Sequence, residues 1–412
     1  MSYLKVYGFL IVRVVICPSI FCAENLRDAK FVARAETGFE QIFNMDYEKA
    51  EQVFTSLEKE YPQHPAPPLY LASICWLKEM ERRQDLSLNR FITATYFNDK
   101  TNFVMPAQEQ LAFLAKLQES ESLCKTILEK NRQDKDGRYF MATVYGLRAS
   151  FAITIDHSLR DAFRYGNKCY SLAKQLTTED PKYYDAYLAL GIYEYSVGAI
   201  PWYMRWMIYV IGGHGSKETG LAHLALAERG QYVKDQAEMV SMILNVRENH
   251  LPEALKIARD LTGRFPRSYL FPLNLAQILS LSGSKEESIP LLLQVEKSVE
   301  KGEPNFNRLP FASFRFNAAV QYVYMGKLDL AKERFIKSAG DPQSTEREKM
   351  LSHLHLGRIF DWQWNPADAK RECQTVLSLP NVEDSHAEAK KLLNKLATED
   401  TETKRRTRKF DR

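Results

Sequence analysis

The sequence predicts an all-α chain built as a solenoid of antiparallel helix hairpins, and three observations carry that prediction. Strong helix formers dominate from residue 27 to 397, and β-branched alternation is rare. A small residue in one predicted helix recurs twelve positions before a small residue in the next, as in Gly38 and Ala50, Ala276 and Ser288, Ala319 and Ala331, Gly357 and Ala369. The second-helix positions then repeat at intervals of 34, 43 and 38 through Ala254, Ser288, Ala331 and Ala369, the range in which repeat architectures fall. With 412 residues, 45% hydrophobic and 26% charged, the chain is too long for one ordinary domain and too ordinary in composition to be disordered or a multi-span membrane protein.

The constant interval has a physical origin. Two antiparallel helices joined by a tight turn approach most closely at one point, each needs a small residue there, and the turn length fixes the spacing between them. Pro62, Pro266 and Pro342 close three of the second helices, because proline cannot continue a helix. The units so defined are 31–62, 235–266, 269–300, 312–342 and 350–380, with looser ones at 138–181 and 184–198. Met242 takes the slot that holds Gly or Ala elsewhere, so its hairpin is expected to pack more loosely. Residues 92–108 break the register and read as a long loop. In 385–397, Ala389, Leu392, Leu393 and Leu396 share one face against lysines on the other, as expected of a helix capping an open solenoid end.

These units resemble the tetratricopeptide repeat (TPR) family over about two thirds of the chain. The resemblance implies a right-handed superhelical solenoid whose first helices line a concave face for protein or peptide partners. The expected organisation is an N-terminal segment 1–23, TPR-like helices over 24–135, divergent hairpins over 136–234, a regular array with its capping helix over 235–397, and a disordered basic tail over 398–412. That tail matters for the charge: residues 404–412 hold six basic groups and one acid, so they exceed the formal net charge of +4 and leave the remaining chain at −1. A near-neutral body is not the charge pattern of a nucleic-acid-binding domain, and no specific nucleic acid is expected.

Residues 1–23 run from a lysine-bearing start through a mostly apolar stretch to small residues, the layout of a secretory signal peptide or N-terminal anchor. Arg13 splits the apolar run, which is too short to span a bilayer. The segment points to an exported, periplasmic or membrane-associated protein; the alternative is an ordinary first helix in a cytoplasmic one. Residues 199–213 (AIPWYMRWMIYVIGG) would make a helix apolar on every face, destined for a core, an interface or a membrane surface. Trp202, Arg205, Trp206 and Tyr209 are its candidate interface or membrane patch. The longer run YSVGAIPWYMRWMIYVIGGHGSKETGLAHL (195–224) is similar to a stretch of the TPR-like proteins of the eukaryotic mitochondrial outer-membrane and inclusion-clearance family. Ser216-Lys217 after glycines suggests a phosphate loop, but no strand precedes it and the GxxxxGK[ST] order is absent.

No catalytic or metal-binding pattern stands out. The histidines are scattered, His353 and His355 point to different helix faces, and no HExxH, GxSxG or CxxC occurs. Cys75, Cys124, Cys169 and Cys373 read as small buried side chains, and Glu286–Glu287 and Glu346–Glu348 as solvated surface charges. No cofactor and no metal are expected. Binding residues are sought instead on the first helices. Asn274, Asn317 and His355 each lie two positions before the packing Gly or Ala, and Gln277, Arg315 and Arg358 lie on the same helices with Tyr269 just ahead. They are expected to form an amide-rich, basic groove for an acidic or extended peptide. The leading expectation is a non-catalytic scaffold or adaptor for protein–protein interaction, in the bacterial cell envelope; the alternative is a membrane-peripheral factor using 199–213 and the basic tail.

Overall fold

The computed structural model describes residues 26–86, 88, 104–200, 215–381 and 384–410, with side chains to 398. Among them there are helices and no strands. The chain runs through antiparallel hairpins: α1 (Ala29–Phe43) with α2 (Tyr47–Glu60), α3 (Ala66–Arg82) with α4 (Ala107–Lys130), α5 (Lys135–Thr154) with α6 (Leu159–Glu179), and α7 (Tyr187–Ala199) with α8 (Lys217–Ala227). The array continues as α9 (Lys234–Arg247) with α10 (Leu251–Arg264), α11 (Leu270–Leu281) with α12 (Lys285–Glu300), α13 (Phe311–Tyr324) with α14 (Leu328–Gly340), and α15 (Glu346–Trp362) with α16 (Pro366–Ser378). Helix α17 (Ser385–Phe410) packs on the last pair.

The twelve-residue slots are the points of closest approach. A side chain on Gly38 would overlap the ring of Phe54. The Ser288 hydroxyl donates to the Ala276 carbonyl at 2.8 Å, and Gly357 lies against Cys373 and the Ala369 carbonyl. Seven residues after each first-helix slot the backbone turns left-handed, at Met45, Asn249, Gly283, Gly326 and Trp364, with φ from 58° to 84°. In all five turns the next amide closes onto the carbonyl five residues back, at 2.8–2.9 Å, which satisfies the helix end by a Schellman closure. In these five hairpins the two helices are therefore set by one packing contact and one turn geometry.

Several expectations are corrected. Met242 is fully enclosed with Leu88, Val246, Ala254 and Ala258; the flexible thioether fills the space rather than loosening it. The loop expected over 92–108 ends early, since Ala107 and Gln108 begin α4, while 92–103 lie outside the described residues. Glu348 is buried in a capping box, its carboxylate accepting from the Thr345 amide at 2.8 Å, not solvated. Cys124, Cys169 and Cys373 are buried, but Cys75 only half so. Residues 398–410, expected to be disordered, continue α17. That stretch has no Gly or Pro, and the Thr398 hydroxyl bonds back to the Asn394 carbonyl at 2.9 Å.

Gly198, Gly215 and Gly220 serve packing. A Cβ on Gly220 would lie 2.6 Å from the Tyr195 amide nitrogen, one on Gly198 2.5 Å from that of Lys217, and one on Gly215 2.6 Å from the Glu194 carbonyl oxygen. Ser216 and Thr219 form a capping box, and Lys217 pairs with Glu248.

The first hairpin is bolted to the middle of the array. The Leu26 carbonyl accepts from Tyr232 Oη at 2.9 Å and from His64 Nε2 at 3.0 Å. Arg27 binds Asp136 at 2.6 Å, Asp185 at 3.0 Å and Gln231 at 3.0 Å, and lies over the ring of Tyr183. At the other end the α1–α2 turn inserts against α10–α12. Arg267 donates to Asn44 and Asp46, Asn305 donates to the Asn44 carbonyl and to Asp46, and Phe43 stacks on Phe265. Burial opposes ionisation of Asp46, but the hydrogen bonds from Asn305 and Arg267 outweigh it and hold its carboxyl below the usual range.

These contacts set a stability test. Gly38→Val and Gly220→Ala should each destabilise the fold by about 1–3 kcal/mol, the usual cost of overpacking. Gly263→Ala, with open space around it, should not. Urea midpoints check this, and a neutral Gly220→Ala would refute the close approach.

Candidate functional site

The residues expected to line one groove are divided by the structure. Tyr269 is buried and its hydroxyl donates to Glu81 at 3.0 Å, so it joins α11 to the end of α3. Asn274 is 7% exposed and belongs to the core, and Gln277 is half-buried on the same helix. Arg315 pairs with Asp341 at 3.5 Å, and its guanidinium lies 3.8 Å above the Phe311 ring. At the start of α11 the chain's N-terminal part is engaged instead, with Arg267 bonded to the α1–α2 turn and Tyr269 to the end of α3. Trp202, Arg205, Trp206 and Tyr209 lie outside the described residues, as do residues 1–23.

Asn317, His355 and Arg358 do come together. They line a recess of about 400 Å³ between α13, α15 and α17, with Phe316, Val320, Leu351 and Leu354 as its apolar part. Arg347 and Glu388 complete the rim. Asn317 is exposed; Arg358 reaches Glu388 at 3.1 Å, tying α15 to α17. His355 stacks flat on Phe335, with ring centroids 4.8 Å apart. Burial pushes its imidazole down to about 4, and the Arg358 charge acts in the same direction, so at neutral pH it offers hydrogen bonding without charge. The recess can therefore hold an apolar side chain beside a group that accepts hydrogen bonds or carries negative charge.

Sequence reasoning missed Arg347, Leu351, Leu354 and Glu388. A signal was present for the first three: positions 347, 351, 354 and 358 follow the i, i+4, i+7, i+11 pattern of one helix face. Glu388 carried none, because its place depends on how α17 docks.

A second recess of about 360 Å³ surrounds Arg27, with Lys135, Asp136, Asp180, Lys182, Asp185 and Arg229 among its walls. Its carboxylates are already engaged: Asp136 and Asp185 hold Arg27, and Asp180 holds Lys135 at 2.8 Å. Among the described residues no cluster of three or more His, Cys, Asp or Glu is disposed to hold a metal.

The described residues form an all-helical array of repeated antiparallel hairpins. No protein-family model and no curated protein matches the sequence. Among solved structures, the human IFIT1 dimer with m7Gppp-AAAA is 11% identical and aligns over 92% of this chain and 88% of its own, with a TM-score of 0.42. Yeast Tom70 is 11% identical over 91% of this chain and 97% of its own, with a TM-score of 0.36. The APC/C hetero-tetramer Cut9–Hcn1 is 12% identical over 84% and 59%, with a TM-score of 0.37. All three are distant likenesses.

A pH dependence follows from the imidazoles of buried His64 and half-buried His355. His64 Nδ1 accepts from the Ala66 amide at 3.1 Å, so Nε2 carries the proton donated to Leu26. Burial pushes His64 down to about 4, as it does His355, from an ordinary 6.5. Between those values the unfolded chain takes up protons that the folded one refuses, so stability is full above pH 6.5 and falls as pH drops towards 4. The slope should approach about 1 kcal/mol per pH unit per histidine. Urea midpoints at pH 7 and pH 5 should differ, and His355→Phe should reduce the difference, leaving the part due to His64; an unchanged profile would count against a neutral His355.

Proposed function

We propose that the chain is a non-catalytic scaffold that holds an extended, acidic segment of a protein partner in the recess between α13, α15 and α17. One observation carries this reading: the recess has an apolar floor and a rim of Asn317, Arg347, His355 and Arg358, with Glu388 paired to Arg358 at one side, whereas Asn274 at the equivalent place on α11 is buried. An apolar side chain would be buried against Val320 and Leu351, and a neighbouring carboxylate would face the arginines. Such recognition rests on a few anchors on a preformed surface.

A photo-crosslinking residue at Asn317 should capture peptide segments rich in Asp or Glu from the native source. The same residue at Asn274 should capture only the chain itself. Arg358→Ala should reduce capture about tenfold with an unchanged circular dichroism spectrum. Equal capture from both positions would defeat the assignment.

For location, the layout of residues 1–23 supports export or tethering in a bacterial cell envelope. N-terminal sequencing of protein from the native source should then find a chain beginning at Ala23 or Glu24, after cleavage behind Cys22 or Ala23, or, if the segment serves as an anchor, an intact segment in the membrane fraction. An intact segment on a freely soluble protein would contradict both.

A further inference from the structure

Trp364 stands where the two preceding hairpins carry Gly326 and Gly283, at φ 58°, and it is 88% exposed. A bulky residue in the left-handed region is strained, and burial offsets none of that strain here. Trp362, two residues earlier, is 51% exposed, and it lies five positions after the packing slot, where the preceding hairpins place Tyr324 (75% exposed) and Leu281 (53%). In the first hairpin that register holds Phe43, which packs on Phe265 and Phe271. The same register is thus covered where the array supplies a partner and bare over the last three turns.

These turns form one edge. Lys285 Nζ donates to the Tyr324 carbonyl at 2.9 Å, Gln363 Nε2 to Asp329 at 3.1 Å, and Lys395 pairs with Asp361 at 2.7 Å. Residues 358 and 361 of α15 meet 388 and 395 of α17, so the two helices run parallel. Helix α15 stops at Trp362, whereas α17 continues to Phe410. At about 1.5 Å per residue, roughly 20 Å of α17 follows Lys395 in the direction of this edge. Residues 404–409 of that extension read KRRTRK.

We propose that this edge docks on an anionic lipid surface, with Tyr324, Trp362 and Trp364 entering the headgroup layer and the basic run facing lipid phosphates. Trp and Tyr suit that depth because the ring is apolar and its N–H or O–H stays hydrated. A basic segment supplies the second attraction that a few inserted rings need for firm attachment. Aromatic tips on two successive turns, with exposed Leu281 on a third, suit a plane better than a single pocket on a protein, and among the described residues no helix is long and apolar enough to cross a membrane. The proposal is independent of the peptide recess.

The test is flotation of the full chain with vesicles of phosphatidylcholine alone or with about one third phosphatidylserine, at low and high salt. The native chain should float with the anionic vesicles and be released by salt. The double variant Trp362→Ser/Trp364→Gly should lower the bound fraction about tenfold, as should changing Lys404, Arg405, Arg406, Arg408 and Lys409 to Gln. Glycine at 364 keeps the turn that Gly283 and Gly326 already make, and circular dichroism verifies the fold. Failure of the native chain to float, equal flotation on neutral vesicles, or flotation that survives the tryptophan variant would overturn the proposal. So would capture of an acidic protein by the same residues without vesicle binding.

Discussion

The close approach of paired helices at a small residue is the contact on which the rest of the molecule depends. Where Gly38 meets Phe54, or where Ser288 bonds to the Ala276 carbonyl, the two backbones come near enough that the connecting turn has little freedom. The left-handed residue seven positions after the slot is then obligatory, since the chain must reverse within three residues and still satisfy the helix-end carbonyls. Repetition of this geometry gives each first helix the same orientation, so equivalent positions in successive hairpins line up. The groove on one side and the row of turn residues at one edge are both consequences of that alignment.

Contacts with the N-terminal helices then tie distant parts of the array together. Arg27, held between Asp136 and Asp185, and the α1–α2 turn, held by Arg267 and Asn305, span sequence separations above one hundred residues. Asp185 and Asn305 are buried, and a charge or amide buried with its partners costs far more to abandon than one exchanging with water. The bolts therefore hold as long as the hairpins around them hold. They engage the turn that leads into α11 and leave the recess around Asn317 and Arg358 clear.

Much of this was legible in the sequence, for a reason that also marks the limit. The interval of twelve reports a local contact within a hairpin, and local contacts project directly onto spacing. Gly283, Gly326 and Asn249 even announce their turns, being residues that accept a left-handed backbone readily. Met45 and Trp364 adopt the same conformation without the side chain that would reveal it. Asn274 and Asn317 share a register and were expected to share a role, yet one is in the core and the other faces a recess. Their difference is one of burial by surrounding helices, which a pattern within one hairpin does not record. The same holds for Glu388, placed by the final helix, and for the continuation of α17 beyond residue 397.

Trp364 shows how repeat symmetry turns one residue into evidence. In an isolated turn a tryptophan at positive φ would be an oddity, with a cost of about 1–2 kcal/mol and no standard for comparison. Here two neighbouring hairpins make the same turn with glycine, so the strain-free solution lies within the same chain. The added ring is almost wholly in water, so its cost is not recovered within the folded protein. A side chain that neither shapes the turn nor fills the core must be accounted for by something outside the chain. Its neighbours in space, Trp362 in the same turn and the helix that leads into the basic run, indicate what kind of surface that would be.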